Sequence, residues 1–114
     1  GPSVRGEEAT LKTLEILAQD DNFDLIVVEI SAGAADRDAA FVENRIKTLE
    51  TLASRSSKPV LLTVTSDIPF SENTDKSGIA RKFLGAGFPA IVEMEAAARA
   101  LSNVVGYGSR QTTF

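Results

Sequence analysis

The chain has 114 residues, 16 acidic against 12 basic, and contains no His, Cys or Trp. That length fits one small domain or a piece of one, and 43% hydrophobic with 25% charged residues is the balance of a folded chain, not a disordered one. The missing His and Cys exclude a zinc finger, a Cys–His nucleophile, a Ser–His–Asp triad and a phosphohistidine within the chain, and a net charge of −4 argues against nucleic acid or an anionic membrane as the main partner.

Gly1-Pro2-Ser3 has the look of a protease-trimmed tag, so residues 1–6 are set aside as a tag remnant or flexible terminus. From Glu7 to Gln19 the spacing predicts a helix, with Leu11, Leu14, Leu17 and Ala18 on one apolar stripe and Glu7 and Glu8 in the first turn. Asp20-Asp21-Asn22 breaks it. Leu25-Ile26-Val27-Val28 then runs apolar without alternation between Asp24 and Glu29, as a central parallel strand covered on both faces does. Ser31-Ala32-Gly33-Ala34-Ala35-Asp36 reads as a loop of small residues. A second helix is expected from Asp36 to Ala53, with Val42, Ile46, Leu49 and Leu52/Ala53 inward.

Pro59 opens the next element, since a strand's first position needs no ladder donor, and Val60-Leu61-Leu62-Thr63-Val64 is the second buried strand. Residues 66–76 are polar, carry Pro69 and show no period, which predicts a loop. Ser77 is expected to cap a short third helix with Ala80, Phe83 and Leu84 inward, ended by Gly85 and Gly87. Phe88 to Val92 is a third strand. Glu93 to Val105 is a final helix striped by Met94, Ala97, Ala98, Leu101, Val104 and Val105, and residues 109–114 read as a flexible tail. The order predicts an α/β fold, three α-β-α layers around a small parallel sheet of three strands, within a domain at 7–108. Its open edges lead us to expect self-association.

The absence of Cys gives no sign of an oxidising compartment, no apolar run reaches the length of a membrane span, and no secretory signal opens the chain. A soluble, cytoplasmic protein without nucleic-acid or membrane partners is expected. Ligands of open parallel sheets bind beyond the strands' carboxyl ends. The groups there are Glu29, Ser31 and Gly33, then Thr65, Ser66 and Asp67, then Glu93 and Glu95. Of these, Ser31, Gly33, Ser66 and Asp67 are the weak candidates for binding a ligand: small residues after a strand let backbone N–H groups approach an anion, and Asp67 offers a carboxylate. Neither a dinucleotide fingerprint nor a Walker pattern is present, Asp67 alone is no paired-carboxylate metal site, and no nucleophile has an adjacent base. No catalytic residue and no metal ligand is assigned.

One set of runs carries a resemblance: Lys58-Pro59-Val60-Leu61-Leu62, Ile79 to Ala90 with Gly85-Ala86-Gly87-Phe88-Pro89-Ala90, Met94 to Leu101, and Gly106-Tyr107, preceded by Asp20-Asp21-Asn22-Phe23-Asp24-Leu25-Ile26-Val27-Val28. Over about residues 10 to 110 the chain resembles part of a flavodoxin-like subdomain of the NDP-forming acyl-CoA synthetases, the superfamily of succinyl-CoA synthetases, ADP-forming acetyl-CoA synthetases and related protein acetyltransferases. The resemblance implies a parent enzyme that forms acyl-CoA from acid, CoA and ATP, with Mg, through an acyl phosphate and a phosphorylated His. This chain has no His and lacks the Gly-rich turn that opens such subdomains, so it is expected to be inactive alone and to bind none of these cofactors itself. It would then be a non-catalytic scaffold fragment whose partners are the parent's His-bearing flavodoxin-like domain and its ATP-grasp domain. The alternative is a stand-alone flavodoxin-like or receiver-like binding module acting through protein partners.

Overall fold

The computed structural model describes residues 2–66, 75–92 and 111–114. In chain order they form α1 (Pro2–Gln19), β1 (Leu25–Ser31), α2 (Ala32–Arg37), α3 (Phe41–Arg55), β2 (Val60–Thr65), α4 (Lys76–Gly85), β3 (Ala90–Val92) and β4 (Gln111–Thr113). The expected helix at Glu93–Val105 and the loop segment containing Asp67 and Pro69 lie outside the described residues.

The sheet is all-parallel with strand order β3-β2-β1-β4, so the expected α/β class holds. From β1 the chain steps through α3 to β2 and through α4 to β3, always in one direction. Right-handed crossovers taken in one direction stack their helices on one face. That face carries the core. Ile26, Val28, Ile30, Leu62 and Val64 pack there against Leu14 of α1, Val42, Leu49 and Leu52 of α3, and Ile79, Ala80 and Phe83 of α4. The register Ile26↔Val60, Val28↔Leu62 and Ile30↔Val64 keeps these side chains on the same side of adjacent strands.

Among the described residues the sheet has four strands where three are expected. Gln111–Thr113, in the segment read as a flexible tail, pairs with Leu25–Val27, and the Phe114 N–H donates to the Val27 carbonyl at 2.6 Å. A polar triplet gains strand character from the ladder of its neighbour, which no local pattern announces. The first strand outruns its apolar stretch: Glu29 and Ser31 continue it, with Ile30 between them buried.

Helix limits move for local reasons. α1 starts at Pro2, ahead of the expected Glu7, and Pro is well suited to a first turn that needs no donor. The expected loop after β1 is instead a short helix: the Ser31 hydroxyl accepts the Ala34 N–H at 3.1 Å and caps α2. The single helix expected from Asp36 to Ala53 is broken at Asp38, whose carboxylate accepts the Ala40 N–H at 3.0 Å, and α3 begins only at Phe41. α4 is capped by Asp75, not Ser77, the carboxylate accepting the Gly78 N–H at 2.8 Å. Leu84, expected inside, is 62% exposed, because Ile79, Ala80 and Phe83 already fill the inward arc and the next residue turns out. The end of α4 is as expected. Gly87 takes φ +97°, its N–H reaches the Leu84 carbonyl, and the Phe88 N–H reaches the Phe83 carbonyl, which is a Schellman closure.

The first helix is tied to the third by a part-buried network. The Glu7 carboxylate accepts from Arg45 Nε and Nη2 at 3.2–3.3 Å and from the Thr48 hydroxyl at 2.7 Å. Lys58 Nζ donates to the Asp20 carbonyl at 2.5 Å, just beyond the carboxyl end of α1, where positive charge is favoured. Among the described residues no helix is long and apolar enough to cross a membrane.

Candidate functional site

Because every strand is parallel, all carboxyl ends reach the same edge of the sheet. The two central strands, β1 and β2, meet that edge in register, with Glu29 beside Thr63 and Ser31 beside Thr65. Thr63 in turn lies beside Ile91 of β3. Adjacent strands run roughly 4.8 Å apart, and alternate residues share a face. Glu29, Ser31, Thr63 and Thr65 therefore form a polar patch on the face opposite the α3 and α4 core. Toward the amino ends the same face turns apolar with Val27 beside Leu61.

The patch is anchored from below. The Glu29 N–H donates to the Phe114 carbonyl at 2.7 Å, so β4 fixes the main chain that carries the carboxylate. Glu29 is exposed although its strand is central, while Thr63 is 7% exposed and Ser31, Thr65 and Ser66 are half-buried. A carboxylate with hydroxyls around it accepts hydrogen bonds from N–H or O–H groups and favours cationic or hydrogen-bond-donating partners.

The structure places the sequence candidates unevenly. Ser31 and Ser66 stand at the ends of neighbouring strands, but the Ser31 hydroxyl is engaged as the α2 cap. Gly33 lies inside α2, so the segment expected to offer free backbone N–H groups is helical, with the Ala34 donor already taken. Asp67, Glu93 and Glu95 lie outside the described residues. Among the described residues no three metal-ligating side chains gather. What sequence reasoning did not supply is the pairing of Glu29 with Thr63, a contact set by the register between strands 34 positions apart.

Fold and edge together define an α/β domain with a parallel sheet and a polar carboxyl edge. Comparison with protein-family models, with curated proteins and with solved structures returned no match.

Proposed function

We propose that this chain is a non-catalytic scaffold domain of an NDP-forming acyl-CoA synthetase, and that its polar carboxyl edge receives the His-bearing loop of a neighbouring domain. The observation that carries this reading is Glu29, an exposed carboxylate held on a central strand beside Thr63. A carboxylate that accepts one imidazole N–H fixes the ring's tautomer and leaves the other nitrogen free to take and give a phosphoryl group. The motif residues behind the resemblance hold structural joints: the carbonyls of Pro59 and Pro89 accept from the Ile26 and Leu62 N–H groups, each at 3.0 Å, extending the ladder beyond β2 and β3.

The test uses the complete parent protein. Glu29→Gln should lower the amount of phosphohistidine formed from ATP by about tenfold or more, the loss of one charge-assisted hydrogen bond, with the circular dichroism unchanged. Equal phosphorylation of variant and wild type refutes the role of Glu29. A complete reading frame with neither a His-bearing flavodoxin-like domain nor an ATP-grasp domain, and with no partner subunit supplying them, refutes the family assignment. The chain alone, given acetate, CoA and ATP, should show no turnover above background.

A further inference from the structure

The outer strands of the sheet, β3 and β4, are held in different ways. Ala90 and Val92 anchor β3 by packing against the core. In β4 and the residue after it, Thr112 is half-buried and Thr113 and Phe114 are exposed, so the main chain does the holding. The Phe114 N–H donates to the Val27 carbonyl and the Glu29 N–H donates to the Phe114 carbonyl. The strand beneath is of another kind. Leu25 to Ile30 has five aliphatic residues and one charge, without Pro or Gly, the composition of a segment that pairs readily with its own copies. A short polar edge strand laid over such a segment is one way natural sheets keep it from pairing with other chains.

Main-chain groups alternate sides along a strand. Leu25, Val27 and Glu29 turn theirs toward β4, while the Ile26 N–H turns toward β2 and reaches the Pro59 carbonyl. We propose that this outer edge of β1 is a self-association surface, which β4 keeps closed and which takes β1 of a second copy when β4 detaches. The sequence of β1 fits an antiparallel pairing about a two-fold axis at Val27. Val27 then lies opposite its own counterpart, and each Leu25 lies opposite the Glu29 of the other copy. Like charges directly opposite would oppose such a pairing. Here the two carboxylates stand four positions apart, roughly 13 Å along the strands, beyond the ~10 Å screening length at 0.1 M salt. The exchange replaces a three-residue polar ladder with an apolar one over Leu25–Glu29. Being part of the same chain, β4 rebinds as an intramolecular event and outcompetes a second copy at micromolar concentration. The inference does not rest on the acyl-CoA synthetase reading, since it uses only the main chain of Glu29.

The experiment compares Thr112→Pro with Phe114→Pro, made together, against Thr112→Ala with Phe114→Ala. The Pro pair removes the Phe114 donor and the Thr112 N–H, which faces the same way two residues earlier. The Ala pair trims the same side chains and keeps both donors. Sedimentation equilibrium should give the Pro pair a dimer dissociation constant about tenfold or more below that of wild type, with the Ala pair like wild type. Amide exchange locates the contact: in the Pro pair, protection of the Glu29 N–H should rise with protein concentration. A second measurement needs no variant. In the wild-type chain the Glu29 N–H, bonded to Phe114, should exchange about tenfold faster than the Ile26 N–H, bonded to Pro59, after correction for intrinsic rates. Equal exchange would mean that β4 leaves only when the whole fold opens, and it overturns the proposal. So does a Pro pair that stays monomeric with the circular dichroism of wild type, an Ala pair that associates as strongly, or association that leaves the Glu29 N–H unprotected.

Discussion

Replacing Gly78 by Ala sets two effects in α4 against each other. Gly78 is the third helical residue, and its N–H is the donor to the Asp75 cap at 2.8 Å. A Cβ at this position would stand 2.2 Å from Asp75 Oδ2 and 2.7 Å from its Cγ, so the carboxylate must swing away and the cap is lost. Losing an Asp cap costs about 1 kcal/mol. Replacing Gly by Ala within a helix returns about 0.8–1 kcal/mol, part of it by restricting the unfolded chain. The single variant should therefore unfold within about 0.5 kcal/mol of wild type. Asp75→Ala alone should lose about 1 kcal/mol. In that background the cap is already gone, so Gly78→Ala now shows its gain unopposed and restores most of the loss. Urea unfolding followed at 222 nm reads all four proteins, and in a domain of this size 1 kcal/mol moves Tm by about 4 °C. If Gly78→Ala stabilises both backgrounds equally, the clash between the added Cβ and Asp75 does not govern the helix start, and the reasoning fails.

Glu7→Ala strands a guanidinium that is only 12% exposed and leaves the Thr48 hydroxyl with the Asn44 carbonyl as its remaining acceptor, so a loss of about 2–3 kcal/mol, chiefly from the buried charge, is expected in denaturant unfolding. Pairing Glu7→Leu with Arg45→Met should cost less than Glu7→Ala alone, because neither residue is then left as an uncompensated charge. Gly87→Ala puts a side chain where φ is +97° and should cost about 1–2 kcal/mol, although nothing within 4 Å would touch the new Cβ. A thermal shift within half a degree of wild type would show that the turn after α4 relaxes freely.

Local chemistry made much of this fold legible. The apolar runs at Leu25–Val28 and Val60–Val64 mark the two central strands, and Gly87 marks the end of α4, because a residue that must take positive φ leaves a trace in composition. Elements whose stability comes from distant partners were less visible. Gln111–Thr113 is a strand only because β1 offers it a ladder. The split between α2 and α3 depends on Asp38 preferring a local turn to a helix interior, a competition that spacing alone does not decide. At the candidate site Glu29, Ser31 and Thr65 could be placed near strand ends from the sequence. Their sharing a face could not, because register is a long-range property and a slip of one residue would have turned every side chain over.

The two faces of the central strands change character at different heights, and this separates structure from function at Glu29. On the core face apolar residues continue to the carboxyl edge, through Ile30 and Val64. On the other face the apolar pair Val27 and Leu61 gives way one row later to Glu29 and Thr63. Central strands of parallel sheets are ordinarily apolar on both faces, so a carboxylate there contributes nothing that Val would not supply better, and strand propensity favours Val by up to about 1 kcal/mol. Glu29→Val should accordingly leave the isolated chain as stable as wild type or more stable, while in the proposed synthetase it should abolish the phosphohistidine formation that Glu29→Gln only weakens. Unfolding of the isolated chain at fixed pH decides the first half: a loss beyond 1 kcal/mol would mean that the carboxylate holds the fold together, and its retention on a central strand would need no partner to explain it.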